Sequence, residues 1–500
     1  YARLTRRVGV CDATVGPGAT NLVSPVAEAF CSSIPLLAII SDIPRAWEYR
    51  RHRGNASQAI DQLDLFRSIS KWQASITDPG SLDDMVHTAF RLATTGKPGP
   101  VVLSVPDDVG PMECEYGKIQ MPEEKAVFPR FRQAPDPRQI ERAVAAIRQA
   151  RKPVIVAGGG VHISGAYQSF QALKEQLKVP VLTSISGKGI VSEEDPMALG
   201  VVGTFGNPIA NAVLQEADLI IYIGCKIGQL TTLRFNYPPP SVRSIHMDAD
   251  PEELGRNYPQ SIPVLADAQL GIEALTASLR ESSCDVEWVL ERYKQDWEAW
   301  YRQKIDPGQS MPQGLKPQVV MGALKSMMRE DDLVICDASL SSGWASAFLP
   351  LASAGHNYLA PRGLATLGWG APAAIAAALA TEGKQRIIHL AGDGGFGYSV
   401  QELETMVRLK LPITTFVFNN STLAWIKHIQ KEKYKETYLS TDYQEVSFAK
   451  VAEGFGALGY SVTTLNGLRE IMKEIGALTE PVVIDIKTDQ WETPVLTYQA

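Results

Sequence analysis

Short apolar runs alternate with helical patterns along the whole chain, and most of the runs end in glycine, asparagine or aspartate. Strands spaced this way pair in parallel, because each return to the sheet needs a crossover and a helix supplies it. Val8–Thr14, Pro35–Ser41 and Pro98–Asp108 read as strands of a first segment, with a helix from Gly16 through Phe30. A second series begins at Lys152–Ala166 and continues through Val179–Gly189, Ala217–Gly228 and Ser244–Gly255. A third begins near Pro317 and holds Leu333–Ser339, Arg386–Leu390 and Ile413–Phe418. The Pro- and charge-rich passage Gly110–Arg138 and the Trp-rich stretch Ser282–Lys316 read as connections. The expected fold class is α/β, with three doubly wound parallel-sheet domains over residues 1–112, 133–280 and 315–490. The 500 residues have room for about three domains of ~150 each.

The first and last segments echo each other. SIPLLAIISD (Ser33–Asp42) parallels KLPITTFVFNN (Lys410–Asn420), and GKPGPVVLSVPDD parallels LTEPVVIDIKTDQ. The echo predicts two copies of one fold flanking a different middle domain.

Composition removes several classes of function. A net charge of -7, with no basic block, argues against nucleic acid. The longest apolar runs, Ile34–Ile40 and Ala371–Ala380, fall far short of the ~20 residues of a membrane span. The six cysteines are scattered without a C-x-x-C, so free buried thiols and a reducing, cytoplasmic location are expected. No histidine spacing suits zinc.

Chemistry concentrates in LAGDGGFGYSVQELETMVRLKLPITTFVFNNS, Leu390–Ser421. Gly392, Gly394 and Gly397 fit G-x-G-x-x-G, yet Asp393 sits inside the loop and the next strand ends in Asn419–Asn420 rather than an acid. A carboxylate there repels pyrophosphate unless a cation lies between them. Asp393 and the Asn420 amide oxygen are hard ligands of the kind magnesium takes together with phosphate oxygens. Gly394 and Gly395 leave room and offer N–H donors. The loop therefore reads as a metal-bridged diphosphate site, with Ser399–Lys410 as the following helix.

The GDG…NN spacing resembles the thiamine diphosphate motif of the acetolactate synthase-like superfamily. PRGLATLGWGAPAAIAAALA (Pro361–Ala380) is similar to the stretch preceding that motif, and VGPGATNLVSPVAEAF (Val15–Phe30) resembles the pyrimidine-binding domain. The resemblance covers essentially the whole chain in order. It implies Asp393, Asn420 and the Thr422 carbonyl as magnesium ligands, with Gly392, Gly394 and Gly395 around the diphosphate. Leu367 would be the apolar wedge beneath a bent cofactor, its N–H and the Ala365 carbonyl holding the pyrimidine edge. Gln58 matches a glutamine near the reacting centre. Leu340 and Ser341 stand where relatives carry a Gln-His pair, leaving Ser341 or Ser342 as the expected donor to the diphosphate.

The implied chemistry is decarboxylation of a 2-oxo acid, followed by release of an aldehyde or formation of a new C–C bond. Carboligase, C–C lyase and decarboxylase, a transferase or a lyase, stay open. STLAWIKHIQ after Asn420, Ser57 beside Gln58 and Lys226 in GCKIG depart from true acetolactate synthases. FAD is left open as a second cofactor, on AGGGVHISGA and HMDADPEELG. The activating glutamate of the superfamily is expected shortly upstream of Tyr1-Ala2-Arg3, and Glu28 is not expected to replace it. On that reading the chain is truncated and either impaired or a non-catalytic cofactor-binding homologue. Expected partners are a small-molecule 2-oxo acid and further copies of the chain, in a homodimer or homotetramer whose cofactor bridges two subunits.

Overall fold

The computed structural model describes residues 1–115, 126–279, 287–306, 314–475 and 479–496. Its contacts divide the chain into two compact units. One comprises Tyr1–Arg132 and the excursion Pro361–Thr366, and the other comprises Gln133–Ala360 and Leu367–Ala500.

The first unit is built on β1 (Gly9–Ala13), β2 (Leu36–Asp42), β3 (Trp72–Ser75) and β4 (Pro100–Pro106), all parallel in the order β1-β2-β4-β3. Helices cover both faces. Ala19, Val26, Ile40 and Phe66 close one side, and Val8, Leu37, Ala89, Ala93 and Leu103 close the other. Each Val, Leu, Ile or Phe among them, removed from water, contributes about 1.5–3 kcal/mol. The helix Pro17–Cys31 starts with proline in its first turn, where the missing N–H costs nothing. Gly16 before it has φ +67, and a Cβ there would run into the Gln58 carbonyl, so only glycine fits.

The second unit holds two six-stranded parallel sheets. The first comprises β5 (Pro153–Ala157), β6 (Val181–Thr183), β7 (Ala198–Val201), β8 (Leu219–Ile223), β9 (Arg243–Asp248) and β10 (Ile262–Leu265), in the order β10-β9-β8-β5-β6-β7. The other comprises β11 (Leu333–Cys336), β12 (Tyr358–Leu359), β13 (Ile387–Gly392), β14 (Ile413–Asn419), β15 (Leu458–Val462) and β16 (Val482–Lys487), in the order β12-β11-β13-β14-β16-β15. The α/β class with three parallel sheets is as expected. So is the echo: β1-β2-β4-β3 and β13-β14-β16-β15 share one order, with the repeated phrases on β2 and β14 and on β4 and β16.

Two details differ from expectation. The helix expected over Ser399–Lys410 is confined to Glu402–Arg408, and a helical turn at Asp393–Gly397 already begins inside the glycine loop. The expectation of buried thiols holds only in part: among the described cysteines Cys225 and Cys336 are buried, Cys11 and Cys114 are half-buried and Cys31 is exposed; Cys284 lies outside the described residues. Among the described residues no helix is long and apolar enough to cross a membrane.

Candidate active site

The chain leaves β11 for β12 on one side and returns to β13 on the other. Such a reversal opens a crevice at the carboxyl ends of the two strands, where α/β sheets bind ligands. Gly392 ends β13, and a Cβ built on it would meet nothing within 4 Å. The middle sheet reverses likewise between β5 and β8, but there Gly158 and Gly160 lie against the Gly224 backbone and fill the gap.

Asp393 follows Gly392 and is 4% exposed. Its carboxylate accepts from the N–H groups of Gly394 at 2.7 Å, Asn420 at 2.9 Å and Ser421 at 2.6 Å, and the Tyr443 hydroxyl also donates to it. Burial pushes the carboxyl above its ordinary range, more than the tyrosine and amides pull it back. Among the described residues no cationic side chain pairs with it. A buried carboxylate held by neutral donors alone is favoured by a cation beside it.

Asn420 turns its amide oxygen back to the Thr422 N–H at 3.2 Å. Thr422 is buried, and its hydroxyl donates to the Thr441 carbonyl at 3.0 Å. The strap Thr441–Tyr443 runs antiparallel to Ser421–Leu423, through Leu423 N to Thr441 O at 2.8 Å and Tyr443 N to Ser421 O at 3.1 Å. It fixes the loop that carries Asn420 and Thr422. The Asp393 carboxylate, Asn420 amide and Thr422 carbonyl are the hard oxygen set that suits magnesium with phosphate. Among the described residues no cluster of His, Cys, Asp or Glu competes as a metal site.

Asp337, just beyond β11, escaped the sequence reading. It has no exposed surface and accepts from Ala338 N at 2.6 Å and from Gly368 N at 3.1 Å to both oxygens. Burial raises its carboxyl to about 6 despite those amides. A Cβ on Gly395 would come within 2.8 Å of its Oδ2. One side chain thus fixes the residue after Leu367 and abuts the glycine loop. An aspartate ending an apolar strand, in CDAS, was the available signal. His389 is a neutral packing group: its Nδ1 meets Thr415 Oγ1 at 3.2 Å, and burial depresses it to about 3.

Leu367 is half-buried. Ala365, in the first unit, takes φ +60. Ser341 is buried and donates to its own helix, to the Asp337 carbonyl at 3.1 Å and the Ala338 carbonyl at 2.9 Å, so its hydroxyl is already engaged. Gln58 is exposed, with φ +62, and its carbonyl lies beside Gly16 at the carboxyl end of β1.

Models of the thiamine pyrophosphate enzymes match three stretches in order. They are the N-terminal TPP binding domain at residues 1–65, the central domain at 140–275 and the C-terminal TPP binding domain at 337–486. The probable acetolactate synthase large subunit of Methanocaldococcus jannaschii is 34% identical, over 98% of this chain and 83% of that protein. That of Methanococcus aeolicus is 31% identical over 98% and 83%, and the acetolactate synthase large subunit of Cyanidium caldarium is 30% identical over 97% and 82%. The chain belongs to the thiamine pyrophosphate-dependent enzymes of the acetolactate synthase-like family.

Proposed function

We propose that this enzyme decarboxylates a 2-oxo acid and joins the remaining fragment to a second carbonyl compound. The observation that carries the reading is Asp393, a buried carboxylate without a cationic partner among the described residues, beside the open end of β13. When bound, thiamine diphosphate supplies a nucleophilic thiazolium carbon and an electron sink. Asp393, Asn420 and the Thr422 carbonyl would hold magnesium against the diphosphate. The open space lies at Gly392 rather than at Gly394 and Gly395 as the sequence suggested, because the Gly394 N–H is taken by Asp393 and Gly395 packs against Asp337. By the family resemblance, Leu367 would support the cofactor, the Ala365 carbonyl and Leu367 N–H would be its pyrimidine partners, and Gln58 would be the candidate group for the substrate. Support for these roles comes from the buried hydrogen bonds of Asp393 and Thr422 and from the left-handed turn at Ala365.

Pyruvate, thiamine diphosphate and magnesium, incubated with the full chain, test the reading through the product. Acetolactate is expected; acetaldehyde alone would assign a simple decarboxylase. FAD would have to approach the turn at Gly158–Gly160, where Gly224 crowds the backbone, and visible absorbance of the purified protein decides whether it is present. A dimer or tetramer is the proposed assembly, and a monomer by light scattering at working concentration would remove it.

A further inference from the structure

The helix Pro17–Cys31 places Ser24, Glu28 and Ser32, the last being its C-cap, on one face at four-residue intervals. That polar face meets the excursion Pro361–Thr366, which belongs to the same compact unit. Glu28 is 3% exposed. Its Oε1 accepts from Gly363 N at 3.0 Å and Ser32 Oγ at 2.7 Å, and its Oε2 accepts from Leu364 N at 2.7 Å and Ala365 N at 2.9 Å. The Arg3 guanidinium adds an ion pair at 3.3 Å. One helical turn earlier, the Ser24 and Thr366 hydroxyls lie 2.8 Å apart.

Three successive amides converging on one carboxylate form an anion nest whose anion is supplied by the protein itself. Burial opposes the charge, but Ser32, Arg3 and the amides of Ala365 and Gly363 hold the carboxyl below its ordinary range, so it is ionised at neutral pH. With these donors around it, Glu28 is engaged as an acceptor. The conformation it gathers is one the residues resist, because φ +60 at Ala365 suits glycine and strains an L side chain.

We propose that Glu28 is a positioning residue for the cofactor. By collecting the amides of Gly363, Leu364 and Ala365 it holds Ala365 in the left-handed conformation and so aims the Ala365 carbonyl at the pyrimidine edge. This rests on the thiamine diphosphate reading above.

The test uses the full chain and two readouts, hydrogen exchange of the three amides and calorimetric affinity for thiamine diphosphate with magnesium. Glu28→Gln removes the charge from the nest. It should lower protection at Gly363–Ala365 about tenfold or more, leave β2 protected, and weaken cofactor binding about tenfold or more. Adding Ala365→Gly to Glu28→Gln should restore much of that affinity, because glycine takes the left-handed turn unaided; a merely structural Glu28 would show no such rescue. Unchanged exchange at the three amides, or unchanged affinity once they have loosened, overturns the proposal. Should Glu28→Gln not fold, Ser24→Ala carries the test with an expected loss of about threefold in affinity, and no loss overturns it. Absence of cofactor binding by the unmutated chain would instead strike the functional reading, while exchange still reports whether the nest exists.

Discussion

The sheets β1-β2-β4-β3 and β13-β14-β16-β15 are wound alike and carry echoing sequences, yet they treat charge at their carboxyl ends in opposite ways. In the first, Asp42 ends β2 and is compensated inside the protein. It accepts from Ile43 N at 2.8 Å and Ser104 Oγ at 3.0 Å, and pairs with Arg51 at 2.9 Å. In the second, Asp393 has donors but no countercharge among the described residues, and it lies where the winding reverses. The difference teaches that one scaffold can settle a buried carboxylate with an internal cation in one copy and leave it to neutral donors in the other.

Removing that charge should break the comparison most severely. Asp393→Ala is expected to weaken magnesium-dependent binding of thiamine diphosphate about a thousandfold, or ~4 kcal/mol, in titration calorimetry, with the circular dichroism spectrum retained. Unchanged binding, or equally tight binding without magnesium, would show that the carboxylate does not serve a metal.

Asp42→Asn should act on the fold instead. Breaking a largely buried pair costs about 3 kcal/mol, read as a lower urea midpoint, and the loss should be the same with or without magnesium. A magnesium-dependent loss would mean that the two sheets are not distinguished in this way.

Glycine substitutions sharpen the contrast on a smaller scale. Gly395→Ala drives a methyl to within 2.8 Å of the fixed Asp337 carboxylate and should cost about 2 kcal/mol. Gly18→Ala, in the first turn of the helix Pro17–Cys31, meets Thr14 Cγ2 at 2.9 Å and Ala13 Cβ at 3.2 Å, side-chain methyls rather than a fixed charge, and should cost about 1 kcal/mol. Thermal unfolding of both variants checks the order, and a reversed order would discount Asp337 as an anchor.

The smallest effect is a difference in pH slope. Asp337, raised to about 6, keeps its proton in the folded chain between about 4 and 6, where the unfolded chain has lost it. Its contribution to stability should therefore fall as pH rises through that window and be flat above it, and Asp337→Asn should remove that share of the slope, leaving the share of Asp248, also raised to about 6. Glu28 is depressed, so its contribution is present above the ordinary glutamate range of about 4.3 and is lost on further acidification. Urea midpoints across pH for the two single variants separate these opposite signs.

Much of the fold was legible because a parallel strand buried on both faces is an apolar run, visible in LLAII, VIVA and LIIYI without knowledge of its neighbours. The glycine loop was legible for the same reason, since Asp393 and Asn420 belong to one local strand-helix-strand unit. Ser341 shows the limit: its hydroxyl could serve a ligand or its own helix, and the turn after β11 gave it to the carbonyls of Asp337 and Ala338. Gly158 and Gly160 show it again. A glycine-rich turn reads as a nucleotide loop, while here the missing side chains allow approach to Gly224.

What the sequence by itself determined is the alternation of strand and helix, the parallel sheets and the local unit in which Asp393 and Asn420 come directly after successive strands. All of these follow from side-chain periodicity and turn chemistry acting over a few residues. What only the tertiary structure decided is how buried carboxylates are satisfied. Glu28 finds its amides 335 to 337 residues away, and Asp337 reaches Gly368 across 31. A buried charge must be satisfied by whichever donors the folded chain brings to it, and no local pattern specifies which those are.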